Sequence, residues 1–174
     1  TRLADCGALW KQPIDRAAFD WRLEQFHRPY HAALAAELVA ALGRFGHAVL
    51  IDLHSMPPLP LGQPGYGARI VVGDHFGKTA GGWLVDVVMD AARGLKVPVS
   101  LNLPYAGGHI VRTHGRPSVG IHAVQVEIDR SLYLTAERQP DTRRCDDLAR
   151  WFAGLVTAAA QAFPDAGALP QAAE

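Results

Sequence analysis

The sequence predicts an α/β layered domain, and three observations carry that prediction. Short apolar runs suited to strands at residues 48–51, 69–73, 97–101 and 121–129 alternate with stretches of helical periodicity. Three of those four runs end in polar clusters containing His or Asp, where open α/β sheets keep their ligands. The 174 residues are 49% hydrophobic and 20% charged, an ordinary globular composition with enough chain for one domain and a real core.

Residues 1–14 read as irregular, with turn chemistry at Cys6-Gly7 and Gln12-Pro13. Asp15 is a good helix N-cap, and Ala18, Phe19, Leu23 and Phe26 follow at helical spacing, so a helix is expected to about His27. Pro29 then opens a second predicted helix over residues 29–45, where its missing N–H is not needed. Leu34, Leu38 and Leu42, with Ala35 and Ala41, form its apolar stripe, and Gly46 ends it.

The run Ala48-Val49-Leu50-Ile51 is apolar on both faces and reads as a buried strand. Asp52, His54 and Ser55 follow it directly. Two residues apart, Asp52 and His54 share a face on extended chain. That pair can be a metal ligand with its orienting carboxylate, a base with its orienter, or two metal ligands. It can also be a loop cap beside a backbone-bonded His. The Pro- and Gly-rich loop over residues 56–67 reads as the rim or lid of a site.

After the strand at 69–73, Asp74-His75-Phe76-Gly77-Lys78-Thr79 is a second polar cluster. A helix over residues 81–93 turns Leu84, Val87, Val88 and Ala91 inward. The strand at 97–101 leaves through Asn102 and a Gly-rich loop to His109. Residues 110–117 read as extended, which puts Arg112, His114 and Arg116 on one face. In the last strand Val124, Val126 and Ile128 face one way and Gln125, Glu127 and Asp129 the other. Pro140 and Asp141 open a final helix with Leu148, Trp151, Phe152, Leu155, Val156 and Ala159 as its apolar face. Residues 164–174 read as a flexible tail.

Lys plus Arg equals Asp plus Glu at 17 each, so nothing points to a nucleic acid or an anionic membrane surface as partner. Cys6 and Cys145 are the two cysteines and read as free thiols of a reducing cytoplasm. No apolar run reaches the ~18–20 residues of a membrane span.

Three stretches together resemble the N-formylglutamate amidohydrolases, and through them the zinc carboxypeptidase and aspartoacylase type of deacylase. They are Asp52-Leu53-His54-Ser55-Met56-Pro57, the run from Asn102 through Gly107-Gly108-His109-Ile110-Val111-Arg112 to His114-Gly115-Arg116-Pro117, and His122-Ala123-Val124-Gln125-Val126-Glu127. The resemblance covers roughly residues 5–135. It implies a three-layer α/β/α sandwich around a mixed, mostly parallel sheet, of phosphorylase/hydrolase type. It also implies zinc-assisted hydrolysis of an N-acyl amino acid, N-formylglutamate in the namesake case, a step of histidine degradation.

On that resemblance His54 matches a zinc ligand, and Glu127 matches the carboxylate that acts as general base. Arg112 and Arg116 suit a substrate carboxylate, since a guanidinium offers paired N–H donors. His109, His114, Asn102 and Arg69 are further candidates for the substrate pocket, and Asp52 and His75 for supporting the zinc ligand. The early zinc ligands of the family have no counterpart here. The chain therefore reads as a single domain over 1–174 that is the C-terminal portion of a longer product. Its single zinc site would be incomplete in this chain, and the expected partners are a homo-oligomer or the missing N-terminal segment. The competing expectation is a non-catalytic domain of the same fold that binds an acidic small molecule through Arg112 and Arg116.

Overall fold

The computed structural model describes residues 2–3, 7–8, 12–62, 64–65 and 67–163. Cys6 and the tail at 164–174 lie outside the described residues. The chain divides into two compact units, Thr1–Ala40 and Ala41–Glu174.

In the first unit, β1 (Arg2–Leu3) pairs antiparallel with β2 (Gly7–Ala8), strands too short to leave an alternating pattern in the sequence. Helix α1 (Arg16–Arg22) starts as expected: the Asp15 carboxylate accepts the Ala18 N–H at 2.7 Å. The chain does not break at Pro29. It widens into one π-helical stretch over Leu23–His27 and continues as α2 (Arg28–Phe45), whose last residues belong to the second unit. The Arg28 N–H reaches back five residues to the Leu23 carbonyl. This wide turn gives Pro29 a place in a helix, because a proline can neither donate to the carbonyl four residues back nor pack its ring against it.

The second unit is built on a four-stranded sheet of order β3-β6-β4-β5, made of β3 (Ala48–Met56), β4 (Ile70–Gly73), β5 (Val99–Leu101) and β6 (Ile121–Asp129). β3 with β6 and β4 with β5 are parallel and β4 with β6 is antiparallel, so the sheet is mixed and mostly parallel. All nine residues of β6 are buried. Its even-numbered residues Val124, Val126 and Ile128 join Ile70, Val72, Leu84, Val88 and Leu155 in the main core. That core lies under α3 (Gly82–Gly94) and α5 (Thr142–Gln161), which are tied together by the Trp151 indole N–H donating to the Ala91 carbonyl at 2.8 Å.

The opposite face carries α4 (His109–His114), which packs on β6 and β3. A smaller apolar cluster of Met56, Ala68 and Val71 lies on this face beneath Leu59, so the Pro/Gly-rich loop folds back over it. Helices thus flank both faces of an open sheet.

Two further expectations need correction. β3 does not stop at Ile51. It runs to Met56, because every residue from Ala48 onward finds a partner on β6, and Asp52 and His54 therefore stand on the strand itself. Residues 110–117 are not extended. Gly108, with extended backbone, caps a short helix that buries Val111. Arg112 and His114, two apart, therefore do not share a face. Arg116 lies beyond the helix, bridged to Ile121. Among the described residues no helix is long and apolar enough to cross a membrane.

Candidate active site

The parallel register of β3 with β6 sets His54 directly beside Glu127 and Asp52 beside Gln125. All four are on the face away from the main core, as alternation along two strands in register requires. The His54 ring spans two carboxylates: Nε2 is 3.1 Å from Asp52 Oδ1 and Nδ1 is 3.9 Å from Glu127 Oε1. A proton on Nε2, donated to Asp52, leaves the Nδ1 lone pair on the side of Glu127. The imidazole is 45% exposed, whereas the Glu127 side chain is only 12% exposed.

Gln125 completes the group. Its Nε2 donates to Glu127 Oε1 at 2.7 Å, and its Oε1 accepts the Gly108 N–H at 2.6 Å. Burial pushes the Glu127 carboxyl above its usual value; His54 and the Gln125 hydrogen bond pull it down, Asp52 pushes it up again and Arg130 pulls it down. A buried carboxyl with a raised pKa beside an exposed imidazole has the makings of a general base with a neighbouring ligand group.

Residues 1–134 match the family described as FGase, N-formylglutamate amidohydrolase. The N-formylglutamate deformylase of Pseudomonas putida is 38% identical over 133 residues, covering 74% of this chain and 48% of that protein. The chain belongs to the N-formylglutamate amidohydrolase family. A second deformylase, from Pseudomonas aeruginosa, is 33% identical over 128 residues, 71% of this chain and 47% of its own. The chain thus spans about half the length of these relatives. The crystal structure of N-formylglutamate amidohydrolase from Ralstonia eutropha JMP134 superposes with a TM-score of 0.77 at 29% identity, over 90% of this chain and 58% of that one. A gene product of Agrobacterium tumefaciens shares the fold, with a TM-score of 0.60 at 21% identity over 84% of this chain and 56% of that one.

For a family whose resemblance suggested zinc, the donors within Ala41–Glu174 are a partial set. An imidazole with a carboxylate on its far nitrogen is an arrangement that protein zinc sites use. His54 and Asp52 provide it, with Nδ1 left to bind. No three His, Cys, Asp or Glu donors converge within this unit among the described residues.

The other expected site residues are distributed around this centre. α4 brings His109 and Arg112 over the face that bears Glu127, both exposed, with Thr113 Oγ1 and His109 Nε2 3.3 Å apart. His114 is buried at the end of that helix, and burial, then Arg116 and His109, lower its pKa. Arg116 is exposed beyond the helix.

Asn102 is buried with a left-handed φ of 61°, and its amide is used within the protein. Its Oδ1 accepts from the Asp74 and Phe76 N–H groups, and its Nδ2 donates to Asp74 Oδ1 at 2.6 Å. His75 lies in the turn this clamp shapes, with φ of 54°. Arg69 is likewise engaged inside the protein. Its Nε lies 2.5 Å from Asp129 Oδ2, off the line of the N–H, and its Nη2 donates to Ser131 Oγ at 2.8 Å. Gln125 was absent from the residues expected at the site. The signal for it was its place two residues before Glu127 on an alternating strand.

A cavity of about 400 Å³ is lined by His54 itself together with Leu53, Ser55, Ile128, Tyr133 and Phe152. Its other lining residues, Cys145, Leu148 and Ala149, belong to α5, and Glu127 does not line it.

Proposed function

We propose that this chain is the catalytic part of a zinc-dependent amidohydrolase that hydrolyses N-formylglutamate, or a closely similar small N-acyl amino acid. One observation carries the reading: the pairing of His54 with Glu127 across β3 and β6, with Asp52 behind the imidazole. The names of the Pseudomonas relatives support the substrate. The partner is then a small molecule in the cytoplasm.

In this reading Glu127 takes a proton from water as the water oxygen adds to the formyl carbon. It then gives that proton to the amide nitrogen as the C–N bond breaks, leaving formate and glutamate. Its buried position suits the task, because a base works best with a pKa near the operating pH. Zinc, when bound, lowers the pKa of a water to roughly 7 and polarises the formyl carbonyl. His54 would hold the metal through Nδ1, with Asp52 fixing the ring. Arg112 and Arg116 are the groups suited to the substrate carboxylates, and His109 and His114 lie between them in sequence or beside them.

Zinc analysis and formate release test this. Glu127→Gln keeps the zinc content and loses about 10²–10⁴-fold in rate. His54→Ala loses the zinc while its folding midpoint moves little, since nearly half of the ring is exposed. Full activity in Glu127→Gln, or full zinc in His54→Ala, refutes the assignment. The partial donor set favours one alternative, a non-catalytic domain binding an acidic small molecule through Arg112 and Arg116. It predicts ligand binding that Arg112→Ala weakens, with no formate released.

A further inference from the structure

We propose that Gln125 is a positioning residue for Glu127, tying the base to the loop that ends at Gly108 and dividing the work of its two carboxylate oxygens. This rests on Glu127 being the base.

Three features of the structure support the assignment. The Gly108 backbone N–H can only donate, so the Gln125 atom 2.6 Å from it is the oxygen, and the NH2 end must face Glu127 Oε1 at 2.7 Å. The amide has one workable orientation, without appeal to how its atoms were assigned. Both residues are buried, Gln125 at 6% and Glu127 at 9% exposure, so losing either hydrogen bond strands a polar atom away from water. The approach at Gly108 is close: a Cβ there would sit 2.9 Å from Gln125 Oε1, so the loop meets the amide only because residue 108 is glycine.

The consequence is a division of labour. Oε1 of Glu127 is held by Gln125 and lies on the His54 side. Oε2 accepts no hydrogen bond among the described residues and is the oxygen open to a proton. The same amide reports the position of the loop, and so of α4 with His109 and Arg112, to the base.

The test separates this from the hydrolase reading by using folding as its first readout. Gln125→Glu keeps the acceptor for Gly108 but faces Glu127 with a second carboxylate. Its unfolding equilibrium constant in urea is expected to rise about 10–100-fold. Glu127→Gln changes it little, because the new amide oxygen still accepts from Gln125. The double variant Q125E/E127Q reverses the polarity of the bond, with the new amide donating to the new carboxylate, and returns to within about threefold of the parent. Additive effects in this cycle overturn the hydrogen bond.

If Q125E does not fold, a crystal structure of Gln125→Leu decides. The Glu127 carboxylate is expected to leave its rotamer, and an unmoved carboxylate overturns the positioning role. Turnover is the second readout: Q125L lowers kcat about 10-fold or more with KM within about twofold, and unchanged kcat overturns the role. The Q125E/E127Q variant regains stability and stays inactive. A parent chain that binds zinc yet releases no formate tells against the hydrolase reading, whereas the folding cycle still decides the hydrogen bond.

Discussion

Arg69→Met distinguishes an arginine that holds the fold from one that holds substrate. Asp129 is 1% exposed, with Arg69 Nε 2.5 Å from Oδ2 and the Ser131 N–H and Oγ–H donating to Oδ1 at 2.8 and 2.6 Å. Removing one member of a buried ion pair costs about 3–5 kcal/mol when the other charge is left alone. Here both Ser131 hydrogen bonds stay, and the Arg69 side chain is 34% exposed, so water can fill part of the gap. About half of that figure is therefore expected, roughly 1.5–2.5 kcal/mol. With a urea slope of about 1–3 kcal/mol per M, the unfolding midpoint falls by about 1 M. The assay is equilibrium urea unfolding followed by tryptophan fluorescence, with N-formylglutamate binding measured on the folded variant. An unmoved midpoint combined with weakened binding refutes the reasoning and makes Arg69 a substrate contact.

Other outcomes follow from the second unit. Burial first, and the nearby His47 second, lower the His122 pKa from 6.5, while its Nδ1 accepts the Gly81 N–H. The folded state therefore binds this proton less readily than the unfolded one. The stability due to a neutral His122 is complete above about pH 6.5 and falls as pH drops through that value toward the lower folded pKa. Melting temperatures at pH 7.5 and 5.5 check this, and His122→Asn, which keeps an acceptor for Gly81, should flatten the acid loss. Gly73→Ala puts a Cβ 2.5 Å from the Gly107 nitrogen and 2.6 Å from the Ala106 carbonyl carbon, both backbone. It should cost about 1–3 kcal/mol in urea unfolding. Leu155→Ala, at a residue 1% exposed in the main core, should cost about 2–5 kcal/mol by the same measurement, and a smaller loss would mean that α5 collapses onto the sheet.

β6 could be read from the sequence because from Val124 onward each of its faces has one chemistry: Val124, Val126 and Ile128 against Gln125, Glu127 and Asp129. β3 was cut short for a related reason. Its second half carries Asp52, His54 and Ser55, and a strand with a polar site on it looks like a strand that has ended. The region at Arg112, His114 and Arg116 misled in the opposite direction. Six residues of helix are too few to show a 3.6-residue period, and Ile110-Val111 favours extended chain in any local reading. The meeting of His54 with Glu127 depends on strand register, which local patterning does not contain. Nor could the sequence show that Asn102 and Arg69, expected in the pocket, also bind Asp74 and Asp129, since a polar side chain at a strand end looks the same whatever it faces. What Gln125 touches depends on the path of the Gly107-Gly108 loop, which no spacing encodes.

β6 also constrains how this protein can evolve. Insertion or deletion of a single residue within Ile121–Asp129 would exchange the two faces beyond that point, sending Glu127 toward the α3 and α5 side and a valine toward His54. A length change here would therefore disturb the main core and the pairing of His54 with Glu127 at once. Drift in this strand is confined to substitution, which over residues 124–128 falls either on the main core or on the polar pair Gln125 and Glu127. Packing and polar pairing thus make their demands on alternate positions of the same short stretch.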